Sequence, residues 1–193
     1  APTKKSSINL TKSGVSGKIY VTGNTVIDSL FLCSKMKTSL PTKKTDWLSN
    51  DVIFATIHRR ENWGQSVVSI ANAFIKILNE MPNVSFVIPM HPNLKVRNPI
   101  KEILGNNPRI ELIEPLDYPQ SVSCMMKSKL IMTDSGGIQE EAPSISKPVL
   151  VLRNTTERTE AIESGTAKLI GTNTEIIFEE ALKLLKDENA YLK

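Results

Sequence analysis

The sequence predicts an α/β fold, a three-layer doubly wound parallel sheet. Three observations predict it. Apolar runs of strand length alternate with segments of helical periodicity along most of the 193 residues. The runs are nearly continuous, as in Val-Ser-Phe-Val-Ile-Pro-Met (84–90), which marks strands covered on both faces. Polar or glycine-rich clusters follow several runs directly, and ligands of open α/β sheets bind beyond the carboxyl ends of the strands.

Each element has a local reason. Residues 18–22 form a short apolar strand that Gly23 and Asn24 break, and Thr25 is the expected cap of a helix running to about residue 37. Residues 38–50 are polar, contain Pro41 and read as a loop. Residues 51–57 are a second strand. In residues 66–80, Val67, Ile70, Phe74, Ile77 and Leu78 recur at helical spacing. Residues 84–90 are a third strand, and 95–104 a helix broken near Pro99. Strands follow at 109–113, 130–133, 148–152 and 167–170, with a helix at 117–127. Residues 174–186 close the chain as an amphipathic helix carrying Ile177, Ala181, Leu184 and Leu185.

Composition limits the function. The length fits one domain with room for a sizeable core. A net charge of +4, spread along the chain, makes no basic tract, and 5% aromatic residues leave little for base stacking, so nucleic acid is not the partner. No apolar run spans a bilayer, so no membrane role is expected. Cys33 and Cys124 lie far apart in apparent helices, which points to a reduced, cytoplasmic setting. No metal-ligand spacing or cofactor fingerprint is present.

Four strand ends carry unusual residues. The run Thr-Asp-Ser-Gly-Gly-Ile-Gln-Glu-Glu-Ala-Pro (133–143) follows a buried strand and opens a helix. Glycines let backbone approach a ligand, and free N–H groups at a helix start attract anions. Glu141, a turn or so further on, could accept hydrogen bonds from a ribose diol. The second strand, at 51–57, ends in His58-Arg59-Arg60-Glu61-Asn62, an acid or base beside two phosphate clamps. A solvated loop with an internal Arg–Glu pair is the alternative. The next strand ends in His91-Pro92-Asn93, so both histidines of the chain sit at strand ends. The strand at 148–152 leads into Arg153 and Arg158, which could face phosphate or pair with Glu157 on the surface. Together these describe a nucleotide or nucleotide-sugar pocket.

The ordered set Val-Thr-Gly-Asn-Thr-Val-Ile-Asp (21–28), Thr-Ile-His-Arg-Arg-Glu-Asn (56–62), His-Pro-Asn (91–93), Glu-Pro-Leu-Asp-Tyr (114–118), the stretch 133–143 and Thr-Thr-Glu-Arg (155–158) resembles the non-hydrolysing UDP-N-acetylglucosamine 2-epimerases. The resemblance covers nearly the whole chain. It implies a Rossmann-like second domain of a two-domain glycosyltransferase-B-type fold, with the active site between the domains. It implies interconversion of UDP-GlcNAc and UDP-ManNAc by elimination of UDP and re-addition with C2 inverted, without a cofactor or metal. Carried over by position, Ser135, Gly136 and Gly137 hold the pyrophosphate, Glu141 the ribose hydroxyls, and Arg158 sits by the phosphates. His58 is the catalytic contribution near the reacting sugar and leaving phosphate, and Arg59, His91 and Asn93 help line the substrate cleft.

The same resemblance implies that residues 1–193 are the C-terminal, UDP-binding domain of an epimerase without its N-terminal domain, Ala1-Pro2-Thr3 marking the entry to the second domain. The acidic residues assigned to proton exchange at C2 belong to that first domain, so this chain alone is expected to be inactive. The complete protein is expected to be a homodimer acting in cell-surface polysaccharide biosynthesis. Ser121 stands where the family often has an aromatic residue that packs on uracil, and Tyr118 is the candidate substitute. The donor-binding domain of a glycosyltransferase, a hydrolysing epimerase and a non-catalytic nucleotide-sugar sensor are the alternatives.

Overall fold

The computed structural model describes residues 1–41 and 50–192. Its six strands, β1 (Asp51–Thr56), β2 (Val84–Pro89), β3 (Ile110–Ile113), β4 (Leu130–Thr133), β5 (Val149–Val151) and β6 (Ala167–Leu169), form one parallel sheet in the order β3-β2-β1-β4-β5-β6. The helices are α1 (Lys4–Lys12), α2 (Thr25–Ser34), α3 (Gln65–Glu80), α4 (Leu94–Leu104), α5 (Tyr118–Lys127), α6 (Gly136–Ser144), α7 (Thr159–Glu163), α8 (Thr174–Lys186) and α9 (Glu188–Leu192).

Strand alternation divides the core into two layers. Ile53, Ala55 and Ile57 point to one face and pack with Phe74 of α3, Ile100 of α4 and Ile177 of α8. Phe74 and Phe86 stack there with ring centroids 4.6 Å apart. Val52 and Phe54 point to the other face, against Leu30 of α2, Val122 and Met125 of α5 and Ala142 of α6. Both sets are buried, so the central strands β1, β4 and β5 have no polar face, which is why they read as apolar runs.

The strand order places a topological switch between β1 and β4. The chain leaves β1 towards β2 and leaves β4 towards β5, so the two loops diverge and open a crevice at the carboxyl ends. The register pairs Thr56 with Thr133 at that point, and their hydroxyls lie 2.6 Å apart.

The structure departs from the sequence reading in several places. Residues 18–22 form no strand; Tyr20 and Val21 are exposed, and the segment bonds to the chain start through Thr22 N–H and Ala1 O at 3.0 Å. An apolar run becomes a strand only when a neighbour supplies a ladder, and none does here. Helix α4 runs through Pro99 unbroken, because burial of Val96, Ile100 and Leu104 outweighs the one backbone bond that proline removes. Helix α1 was not legible, since none of its residues is buried; its Thr3 cap on Ser6 N–H is its local signal. Most of the loop predicted at 38–50 lies outside the described residues. No described helix is long and apolar enough to cross a membrane.

Candidate functional site

The site is organised by Asp134, the residue after β4. Its carboxylate is fully buried and faces the loop that leaves β1. It accepts the backbone N–H of His58 at 3.0 Å and of Arg59 at 2.9 Å, and Asn62 Nδ2 at 2.9 Å. His58 Nδ1 lies 2.9 Å from its other oxygen. Asn62 also donates to Leu152 O at 3.0 Å, tying the loop to the end of β5. A buried anion is tolerable only when its lone pairs are used, and here three N–H groups use them beside the His58 ring. The five polar residues after β1 are thus a network.

The next residues build an anion cradle. Ser135 N–H is satisfied by Thr133 Oγ1 at 2.9 Å, and Ser135 occupies the cap position of α6 without placing its side chain over the helix start. The first-turn N–H groups are left open for an acceptor. Gly136 is buried and Gly137 exposed. A Cβ at Gly136 would come within 3.1 Å of Arg59 Nη2 and Glu157 Oε1, so a larger residue here would press both side-chain ends aside. Gln139 braces the cradle, donating to Ser135 O at 3.0 Å and accepting from Thr156 Oγ1 at 2.6 Å.

Glu141 lies one turn further and is 6% exposed. Tyr118 Oη donates to its Oε1 at 3.0 Å and lies 3.5 Å from Val26 O. Burial pushes the Glu141 carboxyl up, the Tyr118 hydrogen bond pulls it down, and neighbouring Glu140 adds to the rise. Burial followed by the Glu141 charge pushes the Tyr118 phenol up as well, so it remains a donor. Tyr118 heads α5, whose Asp117 cap accepts from Gln120 N–H at 2.8 Å.

The cations around the cradle are held by glutamates. Arg153 is 6% exposed and pairs with Glu61 at 2.7 Å and Glu157 at 3.0 Å. Glu157 also lies 3.7 Å from Arg59. Arg158 pairs with Glu140, which in turn accepts from Asn24 Nδ2 at 2.5 Å. Asn24 caps α2 through Val26 N–H at 3.2 Å, so the start of α2 is tied to the site.

His91 and Asn93 lie on the β2 side of the same crevice. His58, His91, Leu116 and Ser121 border an open cleft of about 190 Å³. His91 Nδ1 accepts Asn93 N–H at 3.1 Å, and Asn93 Oδ1 caps α4 through Lys95 N–H at 2.9 Å. Asn93 therefore serves the local turn, whereas His91 borders the cleft. Ser121 contributes a small side chain to the cleft wall.

Comparison with known proteins identifies the family. The family model described as UDP-N-acetylglucosamine 2-epimerase matches residues 1–193. The chain belongs to the UDP-N-acetylglucosamine 2-epimerase family. Within this epimerase family, the UDP-N-acetylglucosamine 2-epimerase of Neisseria meningitidis serogroup A is 44% identical over 201 residues, covering 100% of this chain and 54% of that protein. The N. meningitidis enzyme solved bound to UDP-GlcNAc is similar with a TM-score of 0.90 at 42% identity, over 100% of this chain and 54% of that one. MnaA of S. aureus, solved with UDP, is similar with a TM-score of 0.89 at 44% identity, over 100% and 53%. The chain spans about half the length of the curated relatives it matches.

Among the epimerase-like residues singled out in sequence, His58, Arg59, Ser135, Gly136, Gly137, Glu141 and Arg158 surround the β1–β4 switch point, with His91 across the cleft. Asp134, Asn62, Gln139 and Asn24 were not assigned roles by sequence reasoning. Asp134 did carry a signal, being an acid placed directly after a fully apolar strand. Asn62, Gln139 and Asn24 carried none for the contacts that tie the site together, because those are to Asp134, Thr156 and Glu140, distant in sequence.

Proposed function

We propose that this chain is the UDP-binding half of a UDP-N-acetylglucosamine 2-epimerase that interconverts UDP-GlcNAc and UDP-ManNAc. One observation carries the reading: buried Glu141, held by Tyr118, stands one turn beyond an uncapped helix start at the sheet's switch point. That spacing suits a ribose diol on the carboxylate and a pyrophosphate on the N–H groups of Gly136 and Gly137. Arg158 and Arg59 add charge beside the phosphates.

The chemistry follows from those positions. Elimination breaks the bond between sugar C1 and the UDP oxygen, so negative charge develops on the departing diphosphate. Donors already pointing there lower that barrier more than they stabilise the ground state. His58 sits at the edge of the cradle and is placed to exchange a proton with the leaving oxygen or sugar. Removal and return of the C2 proton, with inversion, is assigned to acidic groups of the partner half. The 193-residue chain by itself is accordingly expected to bind UDP without epimerising UDP-GlcNAc; turnover by the purified chain would overturn that division. In the complete protein we place the reaction in the cytoplasm, in a homodimer.

The test is calorimetric titration of UDP and of UDP-GlcNAc into this chain and into Glu141→Ala. Saturable UDP binding is expected, weakened in the variant by about 1.5–3 kcal/mol, the worth of charge-assisted hydrogen bonds. UDP binding that is indifferent to Glu141→Ala would remove the ribose assignment. Absence of binding both here and in the complete two-domain protein would remove the functional reading.

A further inference from the structure

His58 and His91 are the two histidines of the chain, and both border the same cleft, at the ends of β1 and β2. Their Nδ1 atoms are engaged in opposite senses. His58 Nδ1 lies 2.9 Å from Asp134 Oδ1. That carboxylate already accepts three other N–H groups, from His58, Arg59 and Asn62, so it acts wholly as an acceptor. The hydrogen of the pair must sit on His58 Nδ1, and a neutral ring then leaves Nε2 bare. His91 Nδ1 instead accepts the backbone N–H of Asn93 at 3.1 Å. A backbone amide can only donate, so His91 carries its hydrogen on Nε2.

We propose that the fold presets the two cleft histidines in opposite tautomers, so that His58 offers a proton-accepting Nε2 and His91 a proton-donating Nε2–H. What they meet in the cleft rests on the nucleotide-sugar reading above; the tautomers themselves do not. His91 can hold an anionic or carbonyl oxygen without exchanging a proton. His58 Nε2 is the atom on which a proton arrives or leaves, and the Asp134 carboxylate stabilises the imidazolium that forms. Asp134 is a positioning residue, acting through His58. Its three further hydrogen bonds fix it against rotation, and that is what makes the tautomer choice a property of the fold.

Nitrogen-15 correlation spectra of the ligand-free chain test this directly. In spectra recorded with both rings neutral, each nitrogen reports whether it holds a hydrogen. His91→Gln assigns the signals. The expected result is hydrogen on Nδ1 of His58 and on Nε2 of His91. Hydrogen on His58 Nε2, on His91 Nδ1, or an even mixture at either ring overturns the proposal. In Asp134→Asn the amide can turn its NH2 towards His58, which moves that ring's hydrogen to Nε2 and leaves His91 unchanged. An unmoved His58 tautomer in a folded Asp134→Asn chain would show that the carboxylate does not set it. Should that variant not fold, the unmodified chain's spectrum decides alone. Opposite tautomers in a chain that fails to bind UDP would sustain this proposal while removing the functional one.

Discussion

In the turn between β4 and α6, Asp134 is fully buried, Glu141 in the helix that follows is nearly so, and every partner of Asp134 is a neutral amide or an imidazole. In the loop between β5 and α7, Asn154, Thr155 and Glu157 are exposed, and the polar work is done by ion pairs of Arg153, Arg158 and Arg59 with three glutamates. The first region is built for geometry. Its donors are fixed before any ligand arrives. The second is built for charge. The pairs of Arg59 and Arg158 are partly exposed and contribute little to stability, so these two arginines can exchange a glutamate for a phosphate at small cost, whereas buried Arg153 stays with its glutamates. A cradle that must aim N–H groups at a developing anion needs the first kind of construction, and neutralising the whole anion needs the second.

The largest expected effect is on the turn. Asp134→Ala leaves the buried N–H groups of His58 and Arg59 without an acceptor, while Asn62 keeps Leu152 O. A loss of about 3 kcal/mol of unfolding free energy is expected in urea denaturation. A loss below about 1 kcal/mol would mean that the loop repairs itself and the turn is no more rigid than its neighbour.

Gly137→Ala separates stability from binding. The added Cβ has Ser135 Oγ 4.0 Å away as its neighbour, and alanine suits a helix better than glycine. Stability should rise by about 0.5 kcal/mol. UDP affinity should nevertheless fall about tenfold, about 1.4 kcal/mol, if a phosphate packs on this backbone. Unchanged affinity would move the phosphate elsewhere.

Tyr118→Phe probes the carboxylate through pH. Burial holds the Glu141 carboxyl above its ordinary value, and the Tyr118 bond is what pulls it down. Removing that bond raises it further. Glu141 accepts ribose hydroxyls fully only above its own pKa, so UDP affinity should weaken at a higher pH in the variant as acidity increases. UDP's own phosphate titration is common to both proteins and cancels in the comparison. Because the folded-state value lies above the unfolded one, the burden that ionised Glu141 places on stability is relieved as pH falls through it. Coincident affinity profiles would show that Tyr118 does not tune Glu141.

The smallest effect is expected in the loop. Arg59 and Glu157 lie 3.7 Å apart and both are partly exposed. Arg59→Ala should change stability by less than about 0.5 kcal/mol, read by the same denaturation. UDP binding should weaken and become less sensitive to salt, as it does when one phosphate contact is lost. A larger stability loss would place Arg59 with the rigid turn.

The apolar runs alone were enough for the central strands β1, β4 and β5, because burial on both faces leaves almost no polar position to blur them. The glycine turn and the acid that follows were legible for a similar reason: a strand end, two glycines and a carboxylate a turn later are all local. Residues 18–22 looked equally strand-like yet found no partner strand, and α4 passed through Pro99. Both were decided by what packs nearby. Sequence order also left the polar cluster at residues 58–62 open between a ligand loop and a solvated one. Only the placement of β1 beside β4 answered it, by bringing Asp134 under that loop. Tyr118 and Glu141, or Asn24 and Glu140, meet for the same reason. Short-range chemistry is written in neighbouring residues, whereas a buried charge can be tolerated only by donors that the fold gathers from distant ones.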